Sequence, residues 1–222
     1  MPSDKTETGK KVSVNYSYNK SDVILRIFFL TLLLFITDQI SKLFVKGFSL
    51  PMLNIKHTGL GLGETKPLIG SILNITLVEN PGIAFGIIPG SVLKELILIL
   101  TILLCVGLVV CLATAKNADR RVRLSIGLIL AGAAGNLFDR IFYGYFFDYA
   151  PLFHGRVVDF LDVKVFKIFM FGEKLGNYIF NFADLSITMG IFTLIYFIFR
   201  IKNQNKEFIL VQNLSEERQD KA

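Results

Sequence analysis

The sequence predicts an all-α polytopic membrane protein, in which four transmembrane helices carry a small extracytoplasmic β-rich cradle and an interfacial loop or helix. Its 222 residues are 52% hydrophobic and 19% charged, with a mean hydropathy of +0.54, which is too apolar for an ordinary soluble domain. Four segments are each long and apolar enough to cross a bilayer, which takes about 20 residues. Positive charge is concentrated in the short segments that flank them.

Each predicted span is a nearly uninterrupted apolar run. Polar residues enter the first, third and fourth spans near one end only, whereas the second is almost purely Leu, Ile and Val. The first span is too long for a secretory signal sequence and no small-residue cleavage site follows it, so we expect it to remain in the mature protein. The four spans cover residues 23–45, 91–115, 122–143 and 182–199.

Lysine and arginine residues are shared unevenly among the segments between the spans. Five lie in 1–26, four in 115–123 and five in 200–222, whereas the two much longer connections hold three and four. Because basic segments stay in the cytoplasm, we expect both termini inside and both long loops outside. This topology, with anionic lipid headgroups, accounts for the net charge of +6 without a nucleic-acid partner. The expected parts are a cytoplasmic tail (1–22), a membrane domain (23–200, with outer loops 46–90 and 143–181) and a cytoplasmic tail (201–222).

The outer loops have compositions unlike those of plain linkers. Residues 72–78 are β-prone and predict a small sheet or cradle resting on the helix ends. The 143–181 loop is rich in Tyr and Phe, which suits the membrane interface, and we expect a short interfacial helix near 163–171. The polar tail from Asn203 onward predicts a loosely ordered extension.

No pattern of metal ligands is present in the sequence. Cys105 and Cys111 lie six residues apart within an apolar run, where each is interpreted as a small hydrophobic residue. His57 and His154 each stand in a loop without a second His or Cys at ligand spacing. We therefore expect no metal and no other cofactor.

Polar residues in or beside the spans are predicted to gather at one membrane face. Asp38, for example, lies about 22 Å along the first span from its cytoplasmic end, at 1.5 Å per residue. Ionisable groups near hydrocarbon are costly and are therefore functional candidates. Taken singly, Asp139 and Arg140 could merely pair, and Asp38 could bond to a neighbouring helix. The whole set is Asp38, Asn80, Asn136, Asp139, Arg140, Asp159, Asn181 and Asp184.

The residue types in this set limit the chemistry. No Ser or Cys stands near a His base, so a nucleophilic triad is not supported. Two carboxylates close together in a partly dry site share a proton, so one can activate water while the other donates to a carbonyl oxygen. Two other classes stay open: a small transporter or channel that binds a cation or proton, and a scaffold with a structural polar cluster. A transporter would be expected to place charge near mid-bilayer and to show inverted repeats, which we do not see.

Five motifs, in order along residues 38–184, resemble those of the lipoprotein signal peptidases (signal peptidase II). One motif alone is weak, but five in order on the predicted topology are specific. They are Asp38-Gln39-Ile40-Ser41-Lys42, Glu79-Asn80-Pro81-Gly82-Ile83-Ala84-Phe85-Gly86, Gly132-Ala133-Ala134-Gly135-Asn136-Leu137-Phe138-Asp139-Arg140, Val157-Val158-Asp159-Phe160 and Phe180-Asn181-Phe182-Ala183-Asp184.

The resemblance implies a role for the motif residues. Asp159 and Asp184 would be the catalytic pair, and Asp139 would support the site by holding Arg140 and the end of the third helix. Asp38 would be structural or position the substrate. Asp148 and Asp162 lie nearby without a role in the family pattern and are interpreted as solvated loop carboxylates. The remaining supporting or substrate-binding residues would be Lys42, Asn80, Gly82, Asn136, Arg140, Asn181 and Ala183.

By the same resemblance, the chain would be an aspartic endopeptidase of the bacterial inner membrane. It would remove the signal peptide from diacylglyceryl-modified prolipoproteins, cutting on the N-terminal side of the lipidated cysteine. Its partners would be these substrates and membrane lipids, with no nucleic acid, and we expect a monomer. The active site would lie near the outer, periplasmic face.

Overall fold

Four long helices dominate the fold. The computed structural model describes residues 20–70, 72–82, 91–114, 118–164 and 179–219. Within these ranges four helices are long and apolar enough to cross a membrane, over Asp22–Lys46, Val92–Thr114, Arg120–Phe146 and Phe182–Gln204. The helices are α1 (Lys20–Lys46), α2 (Ser91–Thr114), α3 (Arg120–Phe138), α4 (Gly144–Phe146) and α5 (Phe182–Gln219), with a π-helical turn (Asp139–Tyr143) between α3 and α4.

Helix α3 is the centre of the bundle and contacts α1, α2 and α5. Its sequence is rich in Gly and Ala, which allow backbones to approach closely in a membrane. A Cβ added at Gly132 would lie 2.2 Å from the Ala183 carbonyl oxygen, and one at Gly190 would lie 2.9 Å from that of Ser125. The close α3–α5 packing therefore depends on these two glycines.

The outer surfaces of α1, α2 and α5 expose many large apolar side chains. Leu33 and Phe44 of α1, Leu103 of α2 and Phe192 of α5 are each more than half exposed. Water would make such surfaces costly, whereas lipid tails are as apolar as the side chains themselves. These surfaces fit helices that face lipid, as the sequence predicts.

Two antiparallel sheets accompany the helices, so the all-α label is not confirmed. The first two strands pair as a hairpin around a 3₁₀ turn, and the other four form one sheet in chain order. Residues 73–78 of the β-prone run 72–78 indeed lie in a strand. The strands are β1 (Gly47–Leu50), β2 (Ile55–Thr58), β3 (Thr65–Ile69), β4 (Leu73–Asn80), β5 (Val157–Val163) and β6 (Ile179–Phe180).

A small apolar core joins the larger sheet to the helix ends. Val45 from the end of α1 and Tyr143 from the π-helical turn pack with Leu77 of β4 and with Val158 and Phe160 of β5. Strands β4 and β5 are paired antiparallel, with Val78 opposite Asp159 and Asn80 opposite Val157. This packing fixes the position of β5 above the bundle.

The structure differs from one expectation about the tails. Residues 201–219 continue helix α5, whereas the sequence predicts a loosely ordered extension from Asn203 onward. This stretch includes good helix formers such as Leu, Glu, Gln and Arg, and it extends a helix already nucleated by the apolar span. Of the expected interfacial helix at 163–171, residues 165–171 lie outside the described residues, as do residues 83–86 of the second motif.

Candidate functional site

Asp159 and Asp184 meet through one asparagine at the end of the bundle. Asp159 lies on β5, Asp184 lies in the first turn of α5, and Asn181 immediately precedes α5. The Asn181 side-chain amide donates to Asp159 Oδ1 at 2.7 Å. Its backbone N–H donates to Asp184 Oδ2 at 3.2 Å, and its side-chain oxygen accepts from the Asp184 N–H at 2.9 Å. Asn181 thus caps α5 and contacts both carboxyl groups.

Asn80 holds the second oxygen of Asp159. Its side-chain amide donates to Asp159 Oδ2 at 3.1 Å, and its side-chain oxygen accepts from the Gly82 N–H at 2.9 Å. Gly82 has φ +101, a conformation that side chains rarely adopt, so glycine is needed there. The Asn80-Pro81-Gly82 sequence is therefore a turn that aims the Asn80 amide at Asp159.

Asn136 links Asp184 to a buried cluster of charges. Its side-chain amide donates to Asp184 Oδ1 at 2.8 Å, and its oxygen accepts from Lys42 Nζ at 3.0 Å. Lys42 also lies 2.8 Å from Asp38 Oδ2 and 2.8 Å from Asp139 Oδ2. The three charged side chains are at most 1% exposed, so the lysine neutralises carboxylates that water does not reach.

Asp38 attaches α1 to the start of α5. Its Oδ1 accepts from the Ala183 N–H at 2.9 Å, one of the first-turn amides that a helix leaves without a partner. A Cβ added at Gly135 would lie 2.6 Å from Asp38 Oδ2 and 3.3 Å from the Ala183 Cβ. The small residues Gly135 and Ala183 therefore make room for this contact.

The hydrogen bonds of Asp139 are to residues other than Arg140, although the two charges lie close enough to interact. Asp139 instead contacts Lys42, accepts from Gln39 Nε2 at 3.0 Å and accepts from the Val158 N–H at 3.2 Å. Among the described residues no salt bridge joins it to Arg140, which follows it in the π-helical turn and donates to the Asn136 carbonyl at 3.3 Å. Adjacent residues on a helix point in different directions, so Asp139 faces the cluster and Arg140 does not.

Arg140 lies where a substrate could reach it. Its guanidinium is near enough to Asp139, Asp184 and Asp159 to interact electrostatically with all three. It also lines a cavity of about 390 Å³ together with Pro81, Gly82 and other residues. A fixed positive charge is thus present beside the two carboxyls and next to an open space.

The pKa of Asp159 is raised from 3.8 to about 7, chiefly because burial disfavours the charged carboxylate. The negative charge of Asp184 raises it further, and the hydrogen bonds from Asn80 and Asn181 partly oppose the shift. Asp159 is 4% exposed, whereas Asp184 is only partly buried. Burial and the neighbouring Asp184 charge together favour holding a proton on Asp159.

The sequence alone does not indicate a role for two residues of this network, Gln39 and Tyr143. Gln39 donates to Asp38, Asp139 and the Gly135 carbonyl, and its side-chain oxygen accepts from the buried Tyr143 hydroxyl at 3.1 Å. Gln39 stands inside the first motif, and Tyr143 stands one helical turn after Asp139. The first motif and the one-turn spacing from Asp139 are the signals that could have indicated these two residues.

Asp162 is buried on a strand, whereas the sequence is interpreted as placing it in a loop as a solvated carboxylate. It lies on β5, is 3% exposed and accepts from the Thr76 hydroxyl at 3.1 Å. Pairing of β4 with β5 places Asn74 opposite Asp162 and covers that carboxyl. Asp148 is exposed, as expected.

No group of three or more His, Cys, Asp or Glu residues in the described ranges is arranged to hold a metal ion. The His57 ring nitrogen contacts the Phe44 carbonyl at 2.8 Å, and that of His154 contacts the Leu152 carbonyl at 3.0 Å. Both histidines therefore bond to nearby backbone.

Four membrane-spanning helices with acidic side chains buried at one end define a polytopic membrane protein with a carboxylate site. The sequence profile of signal peptidase (SPase) II matches residues 30–200. The lipoprotein signal peptidase of Halothermothrix orenii is 30% identical over 174 residues, covering 78% of this chain and 95% of that protein. That of Caldicellulosiruptor bescii is 36% identical over 143 residues, covering 64% of this chain and 77% of that protein.

A solved bacterial membrane enzyme has a similar fold, with a TM-score of 0.60 and 27% sequence identity over 82% of this chain and 92% of that one. The chain therefore belongs to the signal peptidase II family, and it is a membrane protease. The resemblance inferred from the five motifs is confirmed.

Proposed function

We propose that this protein is an aspartic endopeptidase that removes signal peptides from diacylglyceryl-modified prolipoproteins. It cuts on the N-terminal side of the lipidated cysteine, and Asp159 and Asp184 are its catalytic pair. The observation that carries this proposal is the contact of Asn181 with both carboxyl groups. Asn181 bonds to Asp159 through its side-chain amide and to Asp184 through its backbone N–H, which supports treating the two carboxyls as a pair.

Asp159 and Asp184 divide the acid and base roles. With its pKa raised to about 7, a large fraction of Asp159 is protonated near neutral pH, and this protonated Asp159 hydrogen-bonds the scissile carbonyl oxygen and protonates it. Ionised Asp184 takes a proton from water as the water oxygen bonds to the carbonyl carbon. The tetrahedral intermediate then collapses, and Asp184 returns the proton to the leaving nitrogen while Asp159 regains its own.

Asn80 and Arg140 position the substrate backbone. The scissile peptide bond must lose its helical hydrogen bonds before water can attack it. Replacement donors are therefore needed near the pair. Arg140 lines the adjacent cavity and Asn80 already contacts Asp159. Asn136, Asn181 and the Lys42 cluster hold the pair itself in place.

The two acyl chains of the substrate lie in the membrane and hold the cleavage point at the interface. The site lies at the C-terminal ends of α1 and α3 and at the start of α5, a single end of the bundle. The distribution of Lys and Arg supports cytoplasmic termini, tails 1–22 and 201–222 in the cytoplasm, and a site at the periplasmic face of the inner membrane. The sheet around β4 and β5 forms the extracytoplasmic cradle. The enzyme acts as a monomer in contact with lipids.

Cleavage of a diacylglyceryl prolipoprotein by the purified protein tests the proposal. We expect Asp159→Asn and Asp184→Asn each to lower kcat by about 10²- to 10⁴-fold, the usual contribution of a general acid or base. Asp148→Asn is the matched control because Asp148 is exposed and outside the network. A metal chelator should leave the wild-type rate unchanged.

Folding of each variant is checked by its unfolding midpoint in detergent. If the folded Asp159 and Asp184 variants cut as fast as Asp148→Asn, the catalytic assignment is wrong. If the folded wild type cuts only unlipidated precursors, or cuts elsewhere than before the cysteine, the proposed substrate and cleavage point are wrong.

A further inference from the structure

The β1–β2 hairpin has one apolar face and one polar face. Gly47 pairs with Thr58, Phe48 with His57, Ser49 with Lys56 and Leu50 with Ile55. Successive side chains of a strand point to opposite faces, and paired residues share a face. One face therefore carries Phe48, Leu50, Ile55 and His57, and the other carries Ser49, Lys56 and Thr58.

The apolar face of the hairpin packs against the lipid-facing side of α1. The Phe44 ring lies 6.1 Å from the Phe48 ring and 5.3 Å from the His57 ring, centroid to centroid. Phe44 is 57% exposed and ends a row of exposed apolar side chains along α1. That row consists of Leu33, Ile36, Ile40 and Phe44.

The base of the hairpin is fixed to the end of α1. A Cβ added at Gly59 would lie 2.2 Å from the Lys46 carbonyl carbon, and Gly47 has φ +88. The Leu60 N–H donates to the Val45 carbonyl oxygen at 2.8 Å, and the His57 ring contacts the Phe44 carbonyl. The hairpin is thus held in one direction relative to the span.

The far end of the hairpin exposes apolar side chains that no other part of the described chain covers. Met52 is 99% exposed, Leu53 67%, Ile55 47% and Leu50 46%. A groove of about 1140 Å³ lies between the hairpin, the end of α1 and Phe146. Its lining combines Ile40 and Phe44 of the lipid-facing row with polar residues such as Lys46 and Lys56.

We propose that the β1–β2 hairpin is an interfacial membrane anchor. Its tip and apolar face lie in the headgroup region of the leaflet at the site end of the bundle. The exposed row of α1 selects lipid as the partner of this surface, because Phe44 at the end of that row packs against Phe48 on the apolar face of the hairpin. Lys56 on the opposite face points to water and phosphates.

Tryptophan fluorescence tests this placement, because the chain has no tryptophan of its own. Leu53→Trp puts a single fluorophore at the tip, and Lys56→Trp is the matched control on the polar face of the same hairpin. Both full-length variants are reconstituted in liposomes with or without lipids brominated near the headgroup end of the acyl chain. Acrylamide in the aqueous phase is the second quencher.

We expect brominated lipid to quench Leu53→Trp, with emission shifted to the blue, and acrylamide to quench it little. Lys56→Trp should show the opposite pattern. The proposal is overturned if acrylamide quenches the tip freely and brominated lipid does not. It is also overturned if neither agent quenches the tip, since protein contact with a partner or second copy then covers it.

Peptidase activity is measured in the same liposomes. Leu53 and Lys56 lie outside the proposed catalytic network, so we expect both variants to retain wild-type cleavage. An active enzyme whose tip is not quenched by lipid refutes the anchor alone. Cleavage that survives loss of Asp159 and Asp184 refutes the proposed function alone.

Discussion

Replacing Lys42 with methionine is the strongest test of the buried ion cluster. Lys42 Nζ lies 2.8 Å from Asp38, 2.8 Å from Asp139 and 3.0 Å from the Asn136 side-chain oxygen. Methionine has a similar length and no charge. The change therefore removes the one positive charge from a cluster of one lysine and two aspartates, and it leaves two carboxylates without a counter-charge.

Removing one partner of a buried ion pair costs about 3–5 kcal/mol, because the remaining charge is not compensated. Lys42 serves two carboxylates that are at most 1% exposed, so we expect a loss at the upper end, about 5 kcal/mol. The double variant Lys42→Met/Asp139→Asn restores the original net charge of the cluster. It should be more stable than Lys42→Met alone, because only Asp38 is then left without a counter-charge, instead of Asp38 and Asp139 together.

The assay is unfolding in mixed detergent micelles with increasing dodecyl sulfate, followed by circular dichroism. Lys56→Met is the matched control, because Lys56 is exposed on the hairpin. Lys42→Met should also lower cleavage at permissive conditions, since Lys42 holds Asn136 and Asn136 holds Asp184. The reasoning is refuted if Lys42→Met and Lys56→Met unfold at the same detergent fraction.

Three further predictions follow from contacts at the site. Asn181→Leu keeps the branched side-chain shape but removes the side-chain donor to Asp159 and the acceptor for the Asp184 N–H, so kcat should fall by about 10²-fold or more while the unfolding midpoint drops modestly; an unchanged kcat contradicts this. Gly132→Val should destabilise the bundle by about 1–3 kcal/mol, because a Cβ there meets the Ala183 carbonyl, whereas Gly107→Val, with open space at its Cβ, should not. The pKa of Asp159 is raised from 3.8 to about 7, so its contribution to stability is present at low pH and is lost as pH rises from about 4 to about 7. Unfolding midpoints across that range should fall more in wild type than in Asp159→Asn, and the cleavage rate should decline as pH rises above about 7.

The sequence predicted the helices well because a membrane span has a simple physical requirement. Each span needs about 20 apolar residues, and the predicted 23–45 and 91–115 agree closely with α1 and α2. The strand at 73–80 was also predictable from its β-branched residues. The π-helical turn after α3 and the helical continuation of α5 to Gln219 were not predicted, because both depend on how an existing helix ends.

The sequence also indicated the candidate site residues, but it did not indicate which residues they contact. Asp139 was expected beside Arg140, and the structure places it with Lys42, Gln39 and the Val158 N–H instead. The contact of Gln39 with Asp139 joins residues 100 positions apart. Such a contact depends on the rotation of each helix about its axis, which the hydrophobic pattern of a lipid-facing span does not specify.

The sequence by itself determined the number of spans, the residue types at one end of the bundle and the family. These follow from local composition, because hydropathy and short motifs do not require knowledge of packing. Tertiary structure alone decided that Asn181 joins Asp159 to Asp184, that Asp162 is buried, and that the β1–β2 hairpin directs its apolar face toward the lipid side of α1. Each of these depends on the register between strands and on close helix packing, which set distances between residues that are far apart in the chain.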